Sequence, residues 1–198
     1  LVPPSTATDA PTTTDAPTGA GVAPDLGIGP LPAELEDWRS YADRHVDVFG
    51  VHVVALPGVS QRALGHGAAV LAQYLDNDAD GMPDDEAVIR AMTAQRATLV
   101  MAYDEHELES SGIFESGLEE DYGLQDLHDV ETSPVGRFDA AIEEVHHLVF
   151  SYGWAAVHPD RLWFDGTTDL TVAMDVARGG HFERIPADYP SEAWYHYD

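Results

Sequence analysis

The sequence predicts an α/β domain of the α+β type: one mainly helical body with a small sheet, carried behind an extended Thr/Pro-rich arm. Three observations lead there. Hydrophobic residues make up 44% of the 198 positions, enough for one packed core and too many for a disordered chain. Segments with apolar residues at helical spacing alternate with two short, apolar, strand-like runs. The first 32 residues hold seven of the thirteen prolines, and the stretch Pro3 to Thr18 has almost no large apolar side chains, so it cannot bury a core of its own.

The arm is taken as residues 1–31 and the globular domain as 32–198. Within the arm, Pro3-Pro4-Ser5-Thr6-Ala7-Thr8 and Pro11-Thr12-Thr13-Thr14 read as extended, polyproline-like chain. The Thr and Ser of residues 5–18 match an O-glycosylated stalk in composition, and equally a flexible linker without sugars. The opening Leu1-Val2-Pro3-Pro4 reads either as an end left by processing or as a chosen boundary. Residues 20–31 turn apolar while staying rich in Gly and Pro, as expected of a segment docked on its own domain or donated to a neighbour.

The domain then opens with a helix signal. Pro32 in the first turn with Glu34, Glu36 and Asp37 suits an N-terminus, and Leu35, Trp38, Ala42 and Val46 share one face, ended by Gly50. Val51 to Leu56 predicts a buried strand closed by Pro57-Gly58. Ser60 can cap a second helix that carries Leu64, Ala68, Leu71 and Leu75 on one side. A third helix is expected from about Asp84 to Arg96, and a second strand from Ala97 to Tyr103. The acidic stretch 104–134 is too long for a simple connection and implies a functional loop or short hidden elements. Phe138, Ile142, Val145, Leu148 and Val149 mark the clearest helix of the second half; another follows from Thr168 to Ala177, stopped by Gly179-Gly180. The ending Trp194-Tyr195-His196-Tyr197-Asp198 has no stop signal, which suits a docking tail or a chain that continues.

Between the second and third helices lies the strongest chemical signal. Asp76, Asp78 and Asp80 alternate and Gly81 comes sixth, the first half of an EF-hand-type calcium loop. A hard cation needs six to eight oxygens at ~2.3–2.6 Å, so the chain must wrap around it; short carboxylates at alternate positions point inward and glycine permits the sharp turn. Met82 would offer its backbone carbonyl, and Asp84 would bind directly or through water. The second half departs from the pattern. Ala87 stands where a bidentate Glu belongs, Pro83 stiffens the exit, and Glu86, Asp85 or a carboxylate from elsewhere is expected to close the sphere. A single loop suits a structural ion better than a paired sensor.

A second constellation lies on the Phe138–Val149 helix, where Glu143 and His147 share a face at i, i+4 beside Glu144. Glu143-Glu144-x-x-His147 is a zincin motif with Glu in place of the first His, and Glu143-x-x-His146 is one half of a di-iron carboxylate pattern. Zn²⁺ or Fe is the cofactor these would imply. His158, Asp175 and His181 are candidates for a third ligand, and His66 for either cluster, but a buried histidine flanked by solvated glutamates explains the same residues. The chain has no Gly-rich phosphate loop after a strand and no Gly-x-Ser-x-Gly elbow.

Charge narrows the partners. Thirty-six acidic residues against nine basic ones, all Arg, give a net charge of −27. That balance offers nucleic acid no basic face and is repelled by an anionic membrane, whereas divalent cations or a basic partner suit it. No apolar run reaches the ~18–20 residues that cross a bilayer. The absence of Cys excludes disulfides, zinc–thiolate sites and thiol nucleophiles.

Three segments together resemble a group of secreted microbial and algal proteins: Leu71 to Asp84, the helix Glu143-Glu144-Val145-His146-His147-Leu148, and Ala177-Arg178-Gly179-Gly180-His181-Phe182. The resemblance spans most of residues 35–197. It implies an extracellular setting and a domain continuing past Asp198, with no activity to carry over. The expectation is thus a secreted, calcium-binding structural or interaction protein, self-associating through its arm as a subunit of an extracellular filament or matrix. The alternative is an extracellular metal-dependent hydrolase, intact or degenerate, centred on Glu143, Glu144 and His147.

Overall fold

The computed structural model describes residues 26–132, 135–164 and 166–177. The Thr/Pro-rich segment, its proposed glycan positions, Gly179-Gly180, His181 and the aromatic ending lie outside them. Half of the described residues are helical, and they contain one four-stranded sheet, an α+β single domain as the sequence predicts.

The sheet is mixed. Strand β1 (Arg44–Val48) pairs antiparallel with β2 (Val51–Ala55), which pairs parallel with β3 (Thr98–Ala102), which in turn pairs parallel with β4 (Leu124–His128). Parallel neighbours need crossovers with helices, and these cover both faces of the sheet. One face packs Val53, Ala55, Leu99, Met101 and Leu127 against α1 (Gln61–Leu75), α2 (Glu86–Ala94) and α5 (Ala140–Val149). The other packs Val54, Leu56, Val100 and Ala102 against a 3₁₀ turn (Ala33–Trp38), α3 (Glu105–Ser111) and α4 (Leu118–Asp121). All five residues of β3 are buried, as a central strand between two helical layers requires.

The helix expected over Leu35–Val46 is corrected. Only the 3₁₀ turn forms, with Leu35 outside helical geometry, and Val46 instead sits in β1 opposite Val53. Alternation of His45-Val46-Asp47-Val48 wins over helical spacing because the strand buries Val46 and Val48 against α1 while the turn buries Leu35 and Trp38 on the opposite face. Gly50 accordingly ends no helix. It and Phe49, with φ of 87° and 55°, make the two-residue turn of the β1–β2 hairpin. A methyl on Gly50 would also meet Thr93 Cγ2 at 3.1 Å, so Gly50→Ala should cost about 1–2 kcal/mol, read as a lower urea midpoint.

Residues 26–31 lie on their own domain: Gly29 bridges His45 on the free edge of β1, Ile28 and Leu26 pack on one core, and Leu31 is buried in the other. The described part of the stretch 104–134 forms α3, α4, β4 and a 3₁₀ turn at Asp129–Glu131. Helix α5 forms where expected, but its buried face is Ala141, Val145, Leu148 and Val149, with Phe138 and Ile142 exposed. It continues through a π-helical turn (Phe150–Trp154) into α6 (Ala155–Val157), followed by α7 (Pro159–Leu162) and α8 (Asp169–Ala177).

Candidate metal centre

The acidic loop joins α1 to α2, two helices of one layer. Ser60 accepts a hydrogen bond from the Ala63 amide and starts α1; its last turn delivers Asp76 nearly buried, 3% exposed. Asp76 then organises the loop by accepting from the amides of Asp80 (3.1 Å) and Gly81 (2.8 Å). Asp78 accepts from Asp80 N at 3.2 Å, and Asp80 from Met82 N at 2.8 Å. The reversal runs through Ala79 and Gly81, both at positive φ. At the exit, Asp84 N donates to Leu75 O (2.8 Å) while its carboxylate accepts from Asn77 N (2.9 Å), closing the loop on the end of α1.

The result is convergence of Asp76, Asp78 and Asp84, whose oxygens lie within 4.8 Å of one another and can hold a metal ion. The Asp80 amide favours the Asp78 carboxylate, but desolvation and the charges of Asp80, Asp84 and Asp76 outweigh it, so this carboxyl lies above its ordinary value. A bound cation reverses that cost. Asp80 turns its carboxylate toward Met82 N and lies outside the converging set, and the Met82 side chain is exposed. Asp85 caps α2 through the amides of Ala87 and Val88, and Glu86 pairs with Arg90 at 3.2 Å on the solvent side.

Beside the loop, Asn77 and Asp84 help line a cleft of about 690 Å³ shared with His66, Tyr74, Asp139 and Trp154. His66 Nε2 and Asp139 Oδ2 are 2.6 Å apart, while Asp139 Oδ1 caps α5. Asp139→Ala removes both contacts and should cost about 1–2 kcal/mol in a denaturant titration.

On α5, Glu143 and His147 face each other at 3.8 Å, both more than half exposed. Glu144 turns toward the sheet, accepts from Gln125 Nε2 at 2.6 Å, and is raised by desolvation despite the nearby His147. His146 packs among Tyr74, Phe150 and Trp154 and is lowered by burial and by His147. Among the described residues, neither Glu143 nor His147 belongs to a group of three converging ligands; His158 lies between α6 and α7, Asp175 lies on α8, and His66 joins Asp139 instead.

A set that reading for helices overlooked is His45, Asp47 and His52, on one face of the β1–β2 hairpin. The signal was available in the two-residue Phe49-Gly50 turn between alternating runs, which puts those three positions on one side. His45 is lowered by burial and by His52, against Asp47 and Glu34; His52 is lowered by burial, against Asp47 and Glu34, with Arg96 adding to the lowering. Both rings are therefore biased toward the neutral form whose lone pair binds metals.

Comparison of the chain with protein-family models, curated proteins and solved structures finds no match.

Proposed function

We propose that this chain is a secreted structural or interaction protein whose fold is stapled by calcium between α1 and α2, and that it serves as a subunit of an extracellular assembly. The observation that carries the reading is the convergence of Asp76, Asp78 and Asp84 in a loop of alternating acids. Three carboxylates held together around a glycine turn repel one another unless a cation sits among them. An all-oxygen donor set on a turn with spare carbonyls suits a hard, adaptable ion, hence Ca²⁺ before Zn²⁺. The Met82 carbonyl and water complete the sphere, with Asp80 turning in from its Met82 N contact on binding, while Glu86 stays with Arg90.

Calcium as a staple fits a domain without Cys, and the net charge of −27 fits a chain that works where divalent cations are plentiful. Among the described residues no helix is long and apolar enough to cross a membrane. The assembly part of the reading rests on the Thr/Pro-rich arm that leads into residues 26–31 on the free edge of β1.

Isothermal titration with Ca²⁺ should show one saturable site, lost in the Asp76→Asn/Asp78→Asn double variant. Asp85→Ala, which removes only the cap of α2, should cost about 1 kcal/mol of stability and leave that site intact. No saturation by millimolar Ca²⁺ would overturn the staple. Sedimentation in calcium should show assemblies that shrink when residues 1–31 are deleted; a monomer at every concentration, with and without calcium, would overturn the assembly.

A further inference from the structure

We infer that His45, Asp47 and His52 form a second metal site, on the β1–β2 hairpin, that takes a late first-row divalent ion, foremost Zn²⁺. Two imidazoles and one carboxylate are an N,N,O set, unsuited to calcium and matched to zinc. It is independent of the acidic loop in residues, position and donor chemistry.

The hairpin builds this set by register. His45 and Asp47 are two apart on β1 and so share a face, and Asp47 lies directly opposite His52 on β2. The backbone N–H and C=O of His45 pair outward with Gly29, and His52 N donates to Ala97 O on the other side. Asp47 and His52 therefore form a non-hydrogen-bonded cross-strand pair, where facing side chains approach most closely. These bonds fix the three Cα positions before any ion arrives.

The distances suit one ion. His45 Nε2 and His52 Nδ1 are 3.0 Å apart, sharing a proton in a ring-to-ring hydrogen bond that an ion would replace. Two Zn–N bonds of ~2.0–2.1 Å leaving one ion at ~90–110° span ~2.9–3.4 Å between their nitrogens. Asp47 Oδ2 stands 3.9 Å from His52 Nδ1 and, being exposed, can close the remaining gap. Its other oxygen accepts from Gly50 N at 3.2 Å, so the hairpin turn orients the carboxylate as an outer-shell donor would. Glu34 adds negative charge nearby and Arg96 opposes it at His52. Three protein ligands leave a fourth position for water or for a group from another molecule.

The test is Zn²⁺ titration of the full chain already saturated with Ca²⁺, with Co²⁺ absorption reporting coordination. One equivalent of Zn²⁺ should bind, and Co²⁺ should give a visible d–d band. His45→Gln, His52→Gln and Asp47→Asn should each weaken binding more than about tenfold, at least the effect that outer-shell changes have. His106→Gln, an exposed control, should not. Because Asp47 is exposed, its variant keeps the test valid if a histidine variant fails to fold. Absence of Zn²⁺ binding, binding unchanged in Asp47→Asn and the double histidine variant, or loss on His147→Ala instead would each overturn the inference.

Discussion

Asp76→Ala is expected to lower the thermal midpoint in calcium by roughly 5–10 °C and to abolish the response of that midpoint to EDTA. A ligand present at about 100 times its dissociation constant adds ~2.7 kcal/mol to stability, and a domain of this size shifts by ~2–4 °C per kcal/mol. Removing calcium from the wild-type chain should therefore reproduce most of the loss. The variant should fall somewhat further, because Asp76 is nearly buried and Ala takes the acceptor from Gly81 N and one of the two from Asp80 N, which keeps Asp78. Asp76→Asn separates the parts, since it keeps an acceptor oxygen and loses the charge. Differential scanning calorimetry of the three proteins in calcium and in EDTA measures all six midpoints, and equal midpoints for the wild type in both would contradict the staple.

Trp38→Ala is expected to cost about 3–5 kcal/mol, through a cavity on the opposite side of the sheet. Trp38 is fully buried and meets the Tyr122 ring edge-on, with centroids 5.3 Å apart. The Arg96 guanidinium stacks on the same tyrosine at 3.6 Å, hydrogen-bonds its hydroxyl and donates to Glu34 O. Truncating the indole therefore removes apolar area and loosens the aromatic–cation stack that ties the 3₁₀ turn to β3 and α4. Trp38→Phe keeps part of the edge contact and should recover more than half of the loss in a urea titration. Calcium affinity should not change, because this cluster lies across the sheet from the loop.

What the sequence revealed follows how local each determinant is. The α1 helix and its Ser60 cap were legible, because cap and apolar stripe lie within fifteen residues. So were β2 and β3, two short buried apolar runs. In the acidic loop Asp76 and Asp78 were equally legible, being near neighbours in sequence as well as space, whereas Asp80 turns out of the converging set toward Met82 N. In the exit half Asp84 was legible and joins the converging set, but the closing ligand was not. Whether Glu86 reaches the loop depends on where α2 begins, and Asp85 fixes that start by capping it, which leaves Glu86 beside Arg90.

Strand β1 was hidden because Leu35, Trp38, Ala42 and Val46 are helically spaced yet lie on two sides of the sheet. Strand β4, Leu124-Gln125-Asp126-Leu127-His128, is three-fifths polar and exists by pairing with β3, a partner more than twenty residues away. No window of the sequence shows that pairing. By contrast α3 did carry local punctuation, an Asp104 cap and a left-handed Gly112, which the acidity of the surrounding stretch obscured.

Hydrogen exchange with and without calcium tests the central claim most directly, because it reads position as well as stability. At calcium saturation the amides of Asp80, Gly81 and Asp84, the last turn of α1 and the first turn of α2 should be protected. Transfer to EDTA should accelerate exchange across residues 75–90 first, leaving β2 and β3 near their calcium-bound rates. Exchange unchanged in that window, or accelerated equally throughout the sheet, would contradict a local calcium staple between α1 and α2.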